Sequence, residues 1–139
     1  MLIGEYSHTI DAKGRINFPA KLRESLGGNF IITRGLDHCL YAYSLEEWEN
    51  LTESIKSLPR SKRRNMERFF FAGAIEAQPD KQGRIIVSQN LREYASLEKN
   101  VVVVGASDRV EIWDQQAWQQ SFEECTPEAI EEIMDELGF

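Results

Sequence analysis

Two short segments of this chain, Asp11-Ala12-Lys13-Gly14-Arg15 and Asp80-Lys81-Gln82-Gly83-Arg84, hold the residues whose types and spacing could do chemistry. In each, a carboxylate can accept bonds from the amides of a tight turn, and a glycine can take the positive φ that such a turn demands. An arginine is left at the tip. Guanidinium groups placed there, with Lys13 and Lys81 beside them, can reach phosphate oxygens, and arginine can also pair with O6 and N7 of guanine. That chemistry is recognition of nucleic acid, not bond-making. One such turn would be an ordinary exposed Asp and Arg pair, but a second copy in the same context marks an internal repeat.

Catalysis has no comparable constellation. His8 and His38 stand alone, and no Cys, His or acid lies near either at metal-ligand spacing. There is no nucleophile motif and no phosphate-cradling glycine loop, so neither an enzyme nor a cofactor or metal is expected.

The elements that must position the two turns also repeat. Leu22-Arg23-Glu24 returns as Leu91-Arg92-Glu93, Asn29 before Phe30-Ile31-Ile32 as Asn100 before Val101 to Val104, and Tyr43 with Trp48 as Trp113 with Trp118. Tyr6 to Ile10, Asp11 to Gly14 and Arg15 to Phe18 read as strand, turn, strand, a β-hairpin. Pro19 suits the first turn of a short helix that Gly27-Gly28 stops. Phe30 to Arg34 and Cys39 to Tyr43 make a strand pair, and Ser44 with Glu47 forms a capping box for a helix to about Lys56. In the second copy Ile75 to Gln78 and Arg84 to Val87 flank the turn, Ser88 and Asp114 cap helices, and Val101 to Val104 pairs with Arg109 to Trp113. The unit is β-β-α-β-β-α. Its boundaries are 5–47 for the first copy and 76–119 for the second, with a helical linker at 48–75 and an acidic C-terminal helix at 120–139.

At 139 residues the chain is long enough for one real core, whereas each half alone would be marginal. The net charge of −7 argues against nucleic acid only until its distribution is seen: all 16 Lys and Arg lie in residues 1–110, and residues 111–139 carry nine acids and no base. Fields are screened beyond about 8 Å at physiological salt, so the tail does not decide what the turns bind. Lys56, Arg60, Lys62, Arg63, Arg64 and Arg68 form the densest basic stretch, suited equally to solvent, an acidic partner or phosphate. Phe69-Phe70-Phe71 sweeps about 200° of a helix and cannot all face one core stripe, so at least one ring is expected against another subunit. Trp48, Trp113 and Trp118 are expected in packing. No apolar stretch approaches a membrane span, Met1 to Glu5 does not read as a signal peptide, and Cys39 and Cys125 are expected reduced, which points to a soluble cytosolic protein.

With these residues in view the chain resembles the bacterial MraZ family over essentially its full length. The resemblance is carried by two D-x-x-G-R units separated by a helical insert, a start like Met1-Leu2-Ile3-Gly4-Glu5-Tyr6, and Val110-Glu111-Ile112-Trp113. It implies that each half is an AbrB/SpoVT-like unit, of a type that swaps hairpins between chains. The tandem copies then imply an α+β, mainly β, fold: a double-unit swapped-hairpin β-barrel within one chain, flanked by helices. It further implies a ring-shaped homo-oligomer that binds double-stranded DNA at short direct repeats in the promoter of the division and cell-wall gene cluster. Repression of its own operon, in the cytoplasm and nucleoid, follows from the same resemblance. Matched residue by residue, Asp11, Gly14, Asp80 and Gly83 shape the turns, and Arg15 and Arg84, with Lys13 and Lys81, contact DNA. Gln82 stands where the first copy has Lys13, and Ile86-Val87-Ser88 where it has Asn17-Phe18-Pro19, so the two turns need not contribute equally. A ring-forming scaffold that leaves the arginines idle is the main alternative, and an antitoxin-like module ranks behind it because the tail is amphipathic.

Overall fold

The computed structural model describes residues 1–139, the whole chain. The element order is β1 (Leu2–Thr9), β2 (Arg15–Asn17), α1 (Ala20–Leu26), β3 (Phe30–Arg34), a 3-10 turn (Leu36–His38), β4 (Leu40–Ser44), α2 (Leu45–Lys56) and α3 (Arg60–Phe70). There follow β5 (Ile75–Ala77), β6 (Arg84–Ile86), α4 (Gln89–Tyr94), β7 (Asn100–Ser107), β8 (Val110–Asp114), α5 (Gln115–Ser121) and α6 (Pro127–Glu136). Local chemistry accounts for the helix starts. Ser44, Ser88, Asp114 and Thr126 each accept a bond from an amide of the first turn, and Pro19 and Pro59 occupy N-caps without one.

The strands form a six-stranded antiparallel sheet in the order β1-β7-β8-β4-β3-β5 and a separate two-stranded ribbon of β2 and β6. Here the expected hairpins need correction. β1 and β2 share no ladder, the chain between them touching β2 at an isolated bridge of Ile10 with Ile16, and the ladders run between the halves: β1 with β7, β5 with β3, β2 with β6. The reason lies in burial. β2 has one inward residue, Ile16, and β6 has one, Ile85; paired across the halves they face each other with 0% and 1% exposure. A three-residue strand cannot bury its apolar residue alone.

Period-two alternation separates two cores. Ile32, Leu40, Ala42 and Ile112 point into the main core with Ile16, Ile85, Phe18, Leu22, Val87 and Leu91. Tyr41, Tyr43 and Trp113 point to the other face and pack with Cys39, Ile55 and Phe70. That second core is where the aromatic triplet goes. Phe70 is buried, Phe71 lies 5.3 Å from the Trp48 ring, and Phe69 lies 4.9 Å from Phe70 and 6.0 Å from Tyr94. α3 is anchored at its C-terminus by Arg34, whose Nε and Nη2 donate to the carbonyls of Phe69 and Arg68, and by Thr33, whose hydroxyl donates to that of Phe70. These donors satisfy carbonyls that a helix end leaves open. All three rings therefore have partners within the chain, with Phe69 and Phe71 half-buried at the margin.

Trp113 is buried, Trp48 and Trp118 are half-buried against this cluster, and Trp118 Nε1 donates to Glu5 Oε1, tying α5 to β1. Burial pushes the Cys39 thiol well above its ordinary value and keeps it protonated; Cys125 is exposed, and both cysteines are free. The acidic helix α6 buries no residue, and Ile130, Ile133, Met134 and Leu137 remain exposed. No helix is long and apolar enough to cross a membrane.

Candidate nucleic-acid interface

Each D-x-x-G-R segment is a closed hydrogen-bonded turn. Oδ1 of Asp11 accepts from the amides of Lys13 and Arg15, both at 2.9 Å, and Oδ2 accepts from Arg15 Nε at 2.7 Å. The second copy is superposable in its chemistry: Oδ1 of Asp80 accepts from Gln82 and Arg84 amides at 2.9 Å, and Oδ2 from Arg84 Nε at 2.9 Å. The amide of Arg15 and then its guanidinium hold the Asp11 carboxyl below its ordinary value; for Asp80 the amide of Arg84 is the leading cause. Gly14 and Gly83 close the turns with φ of 84° and 78°, and their amides donate to the carbonyls of Asp11 and Asp80. Because each ion pair uses Nε, both terminal nitrogens of Arg15 and Arg84 are free of intrachain hydrogen bonds.

The ribbon brings the two arginines together. In its register Arg15 faces Ile86 and Asn17 faces Arg84, so these four residues share the outward face while Ile16 and Ile85 point into the core. Arg15 and Arg84 are diagonal neighbours, about 7–8 Å apart by ordinary sheet geometry. Each side chain is 33% exposed. Both line an open hollow of about 400 Å³ with Glu76, Gln78, Asp80 and Ile86, so the surface mixes guanidinium and carboxylate groups. Lys13 and Lys81 sit exposed on their turns, at non-equivalent positions.

The halves are also laced together beneath this face. The Gly14 carbonyl accepts from Val87 N at 2.8 Å, and the Gly83 carbonyl from Phe18 N at 2.9 Å. Arg92 from α4 lies against Gly14, and Arg23 from α1 against Gly83. Asn17, Ile86, Arg23 and Arg92 are the neighbours that the turn motif alone does not reveal, although the matching Leu-Arg-Glu triplets carried a signal for the last two.

A family model described as "MraZ protein, putative antitoxin-like" matches residues 1–68 and 70–136, one segment for each half. The chain belongs to the MraZ family. A protein of Acetivibrio thermocellus named transcriptional regulator MraZ is 54% identical over 142 residues, covering 99% of both chains. Proteins of the same name from Thermoanaerobacter sp. strain X514 and Heliobacterium modesticaldum are each 52% identical over 139 residues, covering 99% of this chain and 96% of theirs. Each matched segment contains one D-x-x-G-R turn, Asp11, Gly14 and Arg15 in the first and Asp80, Gly83 and Arg84 in the second.

Proposed function

We propose that this MraZ-family chain is a sequence-specific DNA-binding transcriptional regulator that reads duplex DNA with the outward face of the β2–β6 ribbon. The observation that carries this reading is the placement of Arg15 and Arg84 on one face, with their terminal nitrogens free and their Nε atoms locked by Asp11 and Asp80. A two-stranded ribbon fits the major groove, about 12 Å wide, and an immobilised guanidinium loses less freedom on binding a base edge or phosphate. Lys13 and Lys81 add backbone contacts, and Glu76 and Asp80 beside the arginines disfavour indiscriminate phosphate binding.

The pairing of strands across the halves, with β2 and β6 forming a ribbon apart from the six-stranded sheet, supports a pseudo-dimeric arrangement of two AbrB/SpoVT-like units. The target we propose is a set of short direct repeats in the promoter of the division and cell-wall cluster, with repression of the protein's own operon. Copies assemble in a ring in the cytoplasm, at the nucleoid, with the margin of Phe69 to Phe71 near the contact between them. A gel shift with a fragment from upstream of its own gene, titrated with salt, tests the reading. Binding that survives excess competitor DNA and weakens with salt supports it, and no retardation at any salt leaves the scaffold alternative.

A further inference from the structure

We propose that Arg23 and Arg92 are positioning residues that clamp the two turns crosswise, each from the opposite half, so that Arg92 holds the turn bearing Arg15 and Arg23 the turn bearing Arg84. The clamp stands on geometry alone; its consequence for DNA rests on the proposed function. A Cβ added at Gly14 would lie 2.7 Å from the Val87 carbonyl oxygen and 3.1 Å from both Cζ and Nε of Arg92. One added at Gly83 would lie 2.8 Å from both Cζ and Nη2 of Arg23. Each guanidinium is therefore packed on the glycine of a turn that belongs to the other copy of the repeat.

The two clamps occupy equivalent places but are fastened differently. Arg23 Nε donates to the Phe18 carbonyl at 3.1 Å, and the Phe18 amide is itself bonded to the Gly83 carbonyl, so this arginine closes a chain of bonds from α1 to the second turn. Arg92 Nε is buried beneath the first turn with no hydrogen-bond partner. Few buried donors in folded proteins lack a partner, so one that does calls for another account of what holds it. Packing of the guanidinium plane on Gly14, rather than a hydrogen bond from Nε, fixes Arg92. A glycine is needed at each turn both for its positive φ and for this approach.

The cross-half arrangement predicts a pattern that a general structural role does not. Arg92→Met keeps the apolar stem and removes the plane, and is expected to speed amide hydrogen exchange at Gly14 about tenfold while leaving Gly83 unchanged, as read by NMR. Arg23→Met is expected to do the reverse. Arg92→Lys, which keeps charge and length, should behave as Arg92→Met does and serves where the Met variant folds poorly. Equal changes at both glycines, no change at either, or restoration by Lys would overturn the clamp. With promoter DNA, the loss of affinity in Arg92→Met should be non-additive with Arg15→Ala, whose turn it holds, and additive with Arg84→Ala. Additivity with both would remove the link to DNA reading. If the parent protein binds no promoter DNA, the proposed function fails while the exchange pattern still decides the clamp.

Discussion

At the scale of single residues, the turn contact of Arg15 and Arg84 and the DNA contact proposed for them separate experimentally. Their Nε atoms close the turns on Asp11 and Asp80, and their terminal nitrogens make no hydrogen bond within the chain. Exposed side chains away from the core usually alter stability little, so Arg15→Ala and Arg84→Ala are expected to weaken promoter binding at least tenfold while moving the thermal midpoint by no more than about 2 °C. Parent-like affinity in both variants, measured by fluorescence anisotropy, would move the reading surface elsewhere. The aspartates give the turns a pH dependence of definite sign. Their folded pKa values are lowered by the amides and guanidinium they accept from, so their stabilising contribution is complete above the ordinary carboxylate value near 4. It is lost as pH falls through the lowered folded value. Thermal midpoints between pH 5 and pH 2 should accordingly fall more steeply for the parent than for an Asp11→Asn, Asp80→Asn variant.

At the scale of elements, the turns and the ribbon form one cross-laced structure. Gly14 and Gly83 sit at positive φ beneath guanidinium groups and, at Gly14, a backbone carbonyl. A β-branched side chain there meets an unfavourable backbone and a filled space together, so Gly14→Val and Gly83→Val are each expected to cost about 2–4 kcal/mol in denaturant unfolding. A cost below about 0.5 kcal/mol would mean that the turn relaxes freely. Ile16 and Ile85 face one another at the base of the ribbon with almost no exposure, so Ile16→Ala should cost about 2–5 kcal/mol and loosen both turns, not only its own.

At the scale of the whole molecule, the proposed function gives one ribbon few phosphate contacts, so that tight binding would depend on joining several. Subunits tied in a ring make later contacts intramolecular and can raise avidity by ~10² to 10⁴. Inserting about half a helical turn between promoter repeats rotates the second to the opposite face of the duplex without changing its bases. Affinity for the spaced fragment should drop toward that of a single repeat; equal affinity would show that each subunit binds independently. Phe71→Glu places a charge at the margin of the second core and is expected to lower the particle mass in light scattering. A circular dichroism spectrum like the parent's is the accompanying sign that Trp48 and Phe70 stay packed. A parent that runs as a monomer would remove the ring.

The sequence by itself determined the repeat, the order β-β-α-β-β-α in each half, the capped starts at Ser44, Ser88 and Asp114, and the hydrogen bonding of the aspartates to both turns. All of these depend on contacts within a few residues or on direct comparison of one half with the other. Only the tertiary structure decided which strands pair. The halves carry equivalent strands with the same alternation, so a hairpin closed on itself and a ladder shared with the other half satisfy one and the same apolar pattern. Burial goes with the pairing observed, in which Ile16 and Ile85 face each other across the halves with almost no exposure. The fate of Phe69 to Phe71 was hidden for a related reason. Helical periodicity shows that three adjacent rings cannot share one stripe, but not that Trp48, Tyr94 and Arg34, far apart in the chain, converge on the rings of Phe69 and Phe71. Arg23 and Arg92 were visible as an echo and silent as to role, since the glycine that each one packs on belongs to the other copy of the repeat.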